Sequence, residues 1–322
     1  MKTRWVMVLV LVMVAAAPLS MTARAQDGGG LTDEQIALLD RIVAARMVRD
    51  AWPAYTEDAS GSQAYSIVEP EQTSIRASAL EHSATVIPGE TDDNTQAVVA
   101  ASVISSVTVS DGTEESVEYT ISGEARIVDG VMYVNVAYDE PNDQLPPLAE
   151  GWVQINSVEE LDAYTALDAL ALSDLYEESD LEELNAMIEM YKQYATDVTL
   201  EQTTLEDGTT ADVITITLDS VGVAEYMKVQ DASSPLFDLL LTDDAPDSYT
   251  FRMTLDAENN PIAIEGVMSI AGVGLDAALF GSSYPEGSTI DVTVEAEQVA
   301  VYTPILEGVE PAVVPDEVVP AP

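Results

Sequence analysis

The chain has 322 residues, with 58 Asp or Glu against 11 Lys or Arg, a formal net charge of −47 at pH 7, 47% hydrophobic residues and no cysteine. A surface this acidic repels phosphate backbones and anionic headgroups, which argues against nucleic-acid binding and against electrostatic attachment to a membrane. Without cysteine the chain forms no disulfide and holds no lipid-modified cysteine.

Met1 to Ala25 reads as a signal peptide: Lys2 and Arg4 start it, Val6 to Ala17 form an apolar run, and Ala23-Arg24-Ala25 is a small-x-small cleavage site. The run is shorter than the roughly 20 apolar residues a membrane span needs, and no other stretch is apolar enough. The expectation is a secreted or periplasmic protein with no integral membrane segment after cleavage. The leader takes three of the 11 basic residues, so the mature chain sets 8 bases against 58 acids, a net charge of −50. Clean periodicities and the hydrophobic share separate it from an acidic disordered chain. The acids read as a folded surface adapted to salty or acidic surroundings.

Leu31 to Trp52 predicts a helix, with Ile36, Leu39, Ile42, Val43, Met47 and Val48 in one stripe, Thr32 and Gln35 as a capping box, and Pro53 as the stop. Ser60 to Ser62 reads as a Ser/Gly-rich turn, Ala64 to Leu80 as one or two strands, and Gln96 to Val109 as another. Val117 to Ile127 alternates apolar and polar residues. Asp129-Gly130 then predicts a type I′ hairpin into Val131 to Tyr138, and Gly151 to Ile155 is a short strand. The block from Val117 to Asn156 is expected in the middle of a large sheet. Ser157 with Glu160 and Ser179 with Glu182 open two helical stretches. Thr196 to Thr204 and Ala211 to Leu218 flank an Asp207-Gly208 turn, and helical stretches follow at Val221 to Val229 and Pro235 to Leu241. Tyr249, Phe251, Met253 and Leu255 share a strand face; Ile262 to Ile270 returns from it, and Ile290 to Tyr302 closes the series. Residues 303 to 322 carry five prolines and read as a disordered tail. Consecutive strands with tight turns and a few helices make one α+β domain over residues 26 to 302.

The stretches GEARIVDGVMYVNV, EGWVQI and YTFRMTLDAENNPIAIEGVMSI, in that order after an N-terminal helix, make residues 31 to 302 similar to the LolA/LppX/LprG-like superfamily of exported bacterial carriers for lipoproteins and lipids. The resemblance implies a large curved antiparallel β-sheet, a half-barrel, with helices packed on its concave face and room for acyl chains between. Several relatives are anchored through a lipidated cysteine, which this chain lacks, so their partners do not carry over.

No G-x-S-x-G, H-E-x-x-H, P-loop or G-x-G-x-x-G pattern occurs, and the expectation is a non-catalytic protein without cofactor or metal. His82, the one histidine, reads as an exposed or strand-end residue rather than a catalytic base. The acidic clusters Asp92-Asp93, Asp243-Asp244 with Asp247, and Asp256 with Glu258 lack the spacing of a calcium loop. Tyr249, Phe251, Met253, Met268, Phe237 and Leu240 either line a hydrophobic cleft or form ordinary sheet-to-helix core. The leading functional expectation is binding of a hydrophobic small molecule or lipid, or a lipidated protein. The alternative is an acidic cell-envelope interaction protein with a filled core, and an acid-dependent hydrolase trails both.

Overall fold

The computed structural model describes residues 31–68, 73–89, 96–110, 114–140, 149–155, 181–230, 247–276 and 289–320. Helix α1 spans Asp33–Asp50, and Thr32 and Gln35 form the expected reciprocal capping box. Its buried positions are Leu39, Ile42, Ala45 and Arg49. Met47, expected in the stripe, is 55% exposed instead, because the helix rotates its Ala45 and Arg49 side toward the sheet.

The strands are β1 (Ala54–Val68), β2 (Thr73–Ile87), β3 (Gln96–Ser110), β4 (Glu114–Val128), β5 (Val131–Tyr138) and β6 (Trp152–Ile155). Helix α2 (Leu181–Tyr194) precedes β7 (Ala195–Thr204) and β8 (Thr210–Leu218), and helix α3 (Ser220–Gln230) precedes β9 (Ser248–Leu255). Then come β10 (Pro261–Asp276), β11 (Thr289–Ile305) and a three-residue β12 (Val318–Pro320). The expected capping box at Ser157 and the helix from Pro235 to Leu241 lie outside the described residues.

Among the described residues, twelve strands form one curved sheet in the order β12-β6-β5-β4-β3-β2-β1-β11-β10-β9-β8-β7. Every pairing among the described residues is antiparallel except that of β12 with β6. The Val117 to Asn156 block therefore lies toward one end of the sheet, not in its middle. The middle is β1 against β11, registered from Ala54 opposite Ile305 to Val68 opposite Asp291. Local pattern cannot show that closure, because the partners lie more than two hundred residues apart in the chain. Ser60-Gly61-Ser62 is no turn but the interior of β1, paired on both sides with Leu80 and Gln298 among others.

Turn chemistry matches the sequence more closely. Asp129 and Gly130 both take positive φ, 51° and 73°, as a type I′ hairpin requires. Gly123 is a packing requirement: a Cβ there would run into the Asn135 carbonyl oxygen on β5, so β4 and β5 close up and bend at that point.

Residues 303 to 320, read from the sequence as a disordered tail, continue β11 to Ile305 and then run over the outer face to β12. Ala312 is buried beside Val128 and Tyr133, and its N–H donates to Gln96 Oε1 at 3.1 Å. Arg126 Nη1 donates to the Val313 carbonyl at 3.0 Å. Prolines limit this segment to an extended path, which also suits a strand added at a sheet edge.

Candidate functional site

The concave face divides into two apolar clusters that meet at Ile264. Over β7 to β11 the inward residues are large: Ile214, Ile216, Leu218, Met253, Leu255, Met268 and Ile270. Leu39 and Ile42 of α1, Ile188 and Tyr191 of α2, and Val223 and Tyr226 of α3 pack onto them. Polar contacts pin α1 in place: Arg41 Nη2 to Asp212 Oδ2 at 2.8 Å, Gln35 Nε2 to Asp197 Oδ1 at 3.1 Å, and Asp40 to Lys192 of α2 at 3.2 Å.

This is where the structure places the sequence candidates. Tyr249, Phe251, Met253 and Met268 share one face and belong to this cluster, Phe251 at its partly buried margin. Tyr226 stacks on Tyr249 with centroids 4.5 Å apart, and Tyr191 lies 6.2 Å from Phe251. Burial drives the Tyr191 and Tyr249 hydroxyls well above the ordinary tyrosine range. Phe237 and Leu240 lie outside the described residues. Of the acidic clusters, Asp256 serves its own turn, accepting from the Glu258 and Asn260 N–H groups. Asp247 is buried; its Oδ1 accepts from Ala271 N–H at 2.7 Å while Oδ2 has no partner among the described residues. Burial raises its pKa against that single hydrogen bond.

Over β1 to β6 the inward residues mix large ones, among them Tyr55, Ile121, Ile127, Met132 and Ile155, with a set of small ones. Alternation in β1 to β4 puts Ala59, Ala84, Ala97, Ala101 and Ala125 into the buried cluster, with Ala300 from β11. One registered row crosses five strands as Ala300, Ala59, His82, Ala101 and Gly123. At about 4.8 Å per strand this trench of small side chains, broken at His82 and with its alanines buried, runs roughly 19 Å. Val99, Val103, Ile121, Val134 and Val136 wall it. Among the described residues, Trp52 at the end of α1 and Ala149 pack onto this cluster from off the sheet.

Polar groups gather where the halves meet. Arg49, 4% exposed, sets its guanidinium 5.1 Å from the Tyr55 ring and 5.2 Å from the Tyr302 ring, and pairs with Asp50 at 3.1 Å. The His82 side chain is only 7% exposed, and its Nε2 lies 3.2 Å from Glu57 Oε1. The lone histidine is thus an inward residue of the trench, within β2, contrary to the exposed or strand-end position expected from sequence. Parity held the signal: His82 keeps step with the buried Ala84 and Val86, and Glu57 with Tyr55 and Ala59. Burial, then Glu57, pushes the Tyr302 hydroxyl up to about 12 against the opposing pull of Arg49.

A shallow hollow of about 570 Å³ lies on the outer face, away from this apolar floor. Ser62, Ala64, Ala77 and Ala79 line it, with Ile104, Val267, Glu295 and Glu297 around them.

No family model matches the chain, and no curated protein matches it. Among solved structures it is similar to the Mycobacterium tuberculosis lipoprotein LppX, at 13% identity and a TM-score of 0.30, over 87% of this chain and 99% of that one. A DUF1329 family protein from Desulfovibrio piger aligns at 11% identity and a TM-score of 0.21, over 84% and 92% of the two chains. The outer membrane protein OprG from Pseudomonas aeruginosa aligns at 8% identity and a TM-score of 0.18, over 79% and 97%. At these scores the likenesses decide neither ligand nor location. No described helix is long and apolar enough to cross a membrane.

Proposed function

We propose that this is an exported, non-catalytic protein that binds a hydrophobic ligand, a lipid or the acyl chain of a lipidated protein, against the concave face of β1 to β6. The observation that supports this reading is the row Ala300, Ala59, His82, Ala101 and Gly123. A sheet that only has to pack helices fills its inner face with large side chains, as β7 to β11 do here. The alanines on either side of His82 leave room for a guest above the strands, and the valines and isoleucine beside them supply apolar walls. The leader reading at Met1 to Ala25 supports export.

The test starts from purified mature protein: solvent extraction with lipid mass spectrometry, then displacement of dansyl-undecanoic acid. Bound lipid or saturable displacement is expected, and Ala101→Phe, which fills the trench, should weaken displacement at least tenfold. Ala100→Phe, one residue away on the outer face, should leave it unchanged, with circular dichroism confirming that both variants fold. A clean extract without saturable binding would turn the assignment to the acidic interaction protein with a filled core.

A further inference from the structure

The C-terminal segment shows what the free side of β6 accepts. Val318, Val319 and Pro320 pair in parallel with Trp152, Val153 and Gln154. Upstream, Arg126 gives one Nη1–H to the Val313 carbonyl while its guanidinium lies 4.7 Å from the Trp152 ring centroid. Gln96 takes the Ala312 N–H, and Ala312 sits between Val128 and Tyr133. These contacts read backbone and small or branched apolar side chains, the mode by which sheet edges capture extended peptides.

The fit in charge is poor. Between Leu306 and Pro320 the segment carries Glu307, Glu310, Asp316 and Glu317 and no base. It docks beside Arg126, whose guanidinium already has the Glu124 carboxylate 3.9 Å away, on a chain of net charge −47. Asp316 and Glu317 are exposed, so they contribute repulsion without contact. Nor does the segment saturate the clamp: Arg126 Nε is shielded from solvent and has no hydrogen-bond partner among the described residues. Three paired residues at a sheet edge, opposed by like charge, make a weak occupant.

We infer that the β6 edge, with the Arg126–Trp152 clamp, is a docking site for an extended, proline-containing, basic segment of a partner protein, and that the C-terminal segment fills it in cis until such a segment displaces it. A partner strand with lysines at the positions of Asp316 and Glu317 keeps every backbone contact and turns repulsion into attraction. The cis segment lowers the partner's apparent affinity by the fraction of time it occupies the edge.

The experiment uses the full mature chain and two labelled nine-residue peptides in fluorescence anisotropy: the native 312–320 sequence AVVPDEVVP, and AVVPKKVVP. The lysine peptide should saturate and bind at least tenfold more tightly than the native one in 50 mM salt, with the gap closing toward 1 M. Val318→Asp, which loosens the cis segment, should tighten lysine-peptide binding several-fold and speed carboxypeptidase trimming of the tail. Arg126→Ala and Trp152→Ala should each weaken it at least tenfold. The inference is overturned if the lysine peptide fails to saturate the Val318→Asp protein, or if it binds the Arg126→Ala protein as well as the parent.

Discussion

Arg49 offers a direct measurement of what holds the two halves of the concave face together. It projects from the last turn of α1, whose Leu39 and Ile42 belong to one cluster, onto Tyr55 and Tyr302 of the other. Two desolvated cation–π contacts at 5.1 and 5.2 Å contribute about 0.5 to 2 kcal/mol each. The pair with Asp50, itself 40% exposed, adds less than about 1 kcal/mol. Against these stands the cost of desolvating a guanidinium, which a neutral residue does not bear. Arg49→Met keeps the buried stem and removes the charge, so it should cost about 1 to 2 kcal/mol. Arg49→Ala also loses buried methylenes at about 0.8 kcal/mol each and should cost about 3 to 4 kcal/mol. Urea unfolding followed by tryptophan fluorescence reads both values, provided the slope with denaturant is unchanged. A double-mutant cycle of Arg49→Met with Tyr302→Leu should give a coupling of about 1 kcal/mol. An Arg49→Met protein as stable as the parent would refute the reasoning, since the guanidinium would then add nothing beyond the space it fills.

Two further outcomes follow from charge and burial. Tyr302 is held neutral with a pKa raised to about 12 from 10, so its stabilising contribution is complete below pH 10 and is lost as the pH rises from 10 through 12. Two pKa units correspond to about 2.7 kcal/mol. Urea midpoints between pH 9 and 12 should therefore fall more steeply for the parent than for Tyr302→Phe, and parallel curves would contradict the assignment. Salt acts on the whole surface: with a net charge of −47, shortening the Debye length from about 10 Å at 0.1 M to about 3 Å at 1 M relieves self-repulsion. The melting temperature should rise with added sodium chloride; a flat or falling trend would remove salt adaptation as the reason for the acids.

Local chemistry made much of the fold legible. The Thr32 capping box, the Asp129-Gly130 hairpin and the alternation from Tyr249 to Leu255 each fix a short element through contacts within a few residues, and each stands where it was expected. What failed needed distance. The pairing of Ala54 with Ile305 makes the two ends of the chain the middle of the sheet, and no window of sequence contains both. His82 was read by its polarity, which favours solvent, whereas its buried position follows from the strand parity it occupies. The tail was read by composition alone. Its prolines rule out a helix, but they do not rule out an extended segment held by Arg126 and Gln96.

The contrast between the two halves of the sheet is one of side-chain volume on a shared backbone. Strand alternation in β1 to β4 and in β8 to β10 sends apolar residues to the same face, and hydropathy scores both as interior. On β8 and β9 those positions are Ile214, Ile216, Met253 and Leu255, long enough to meet helices lying on the sheet. On β1 to β4 they include Ala59, Ala101 and Ala125, with Gly123 among them, which bring the surface closer to the strand axes. Each alanine also gives up apolar contact area that a leucine at the same place would bury, at about 25 cal/mol per Å². A chain without a disulfide has only its core to stabilise it. Leaving several such positions small across adjacent strands is therefore a sustained loss of stability, which a guest lying in the trench would restore when bound.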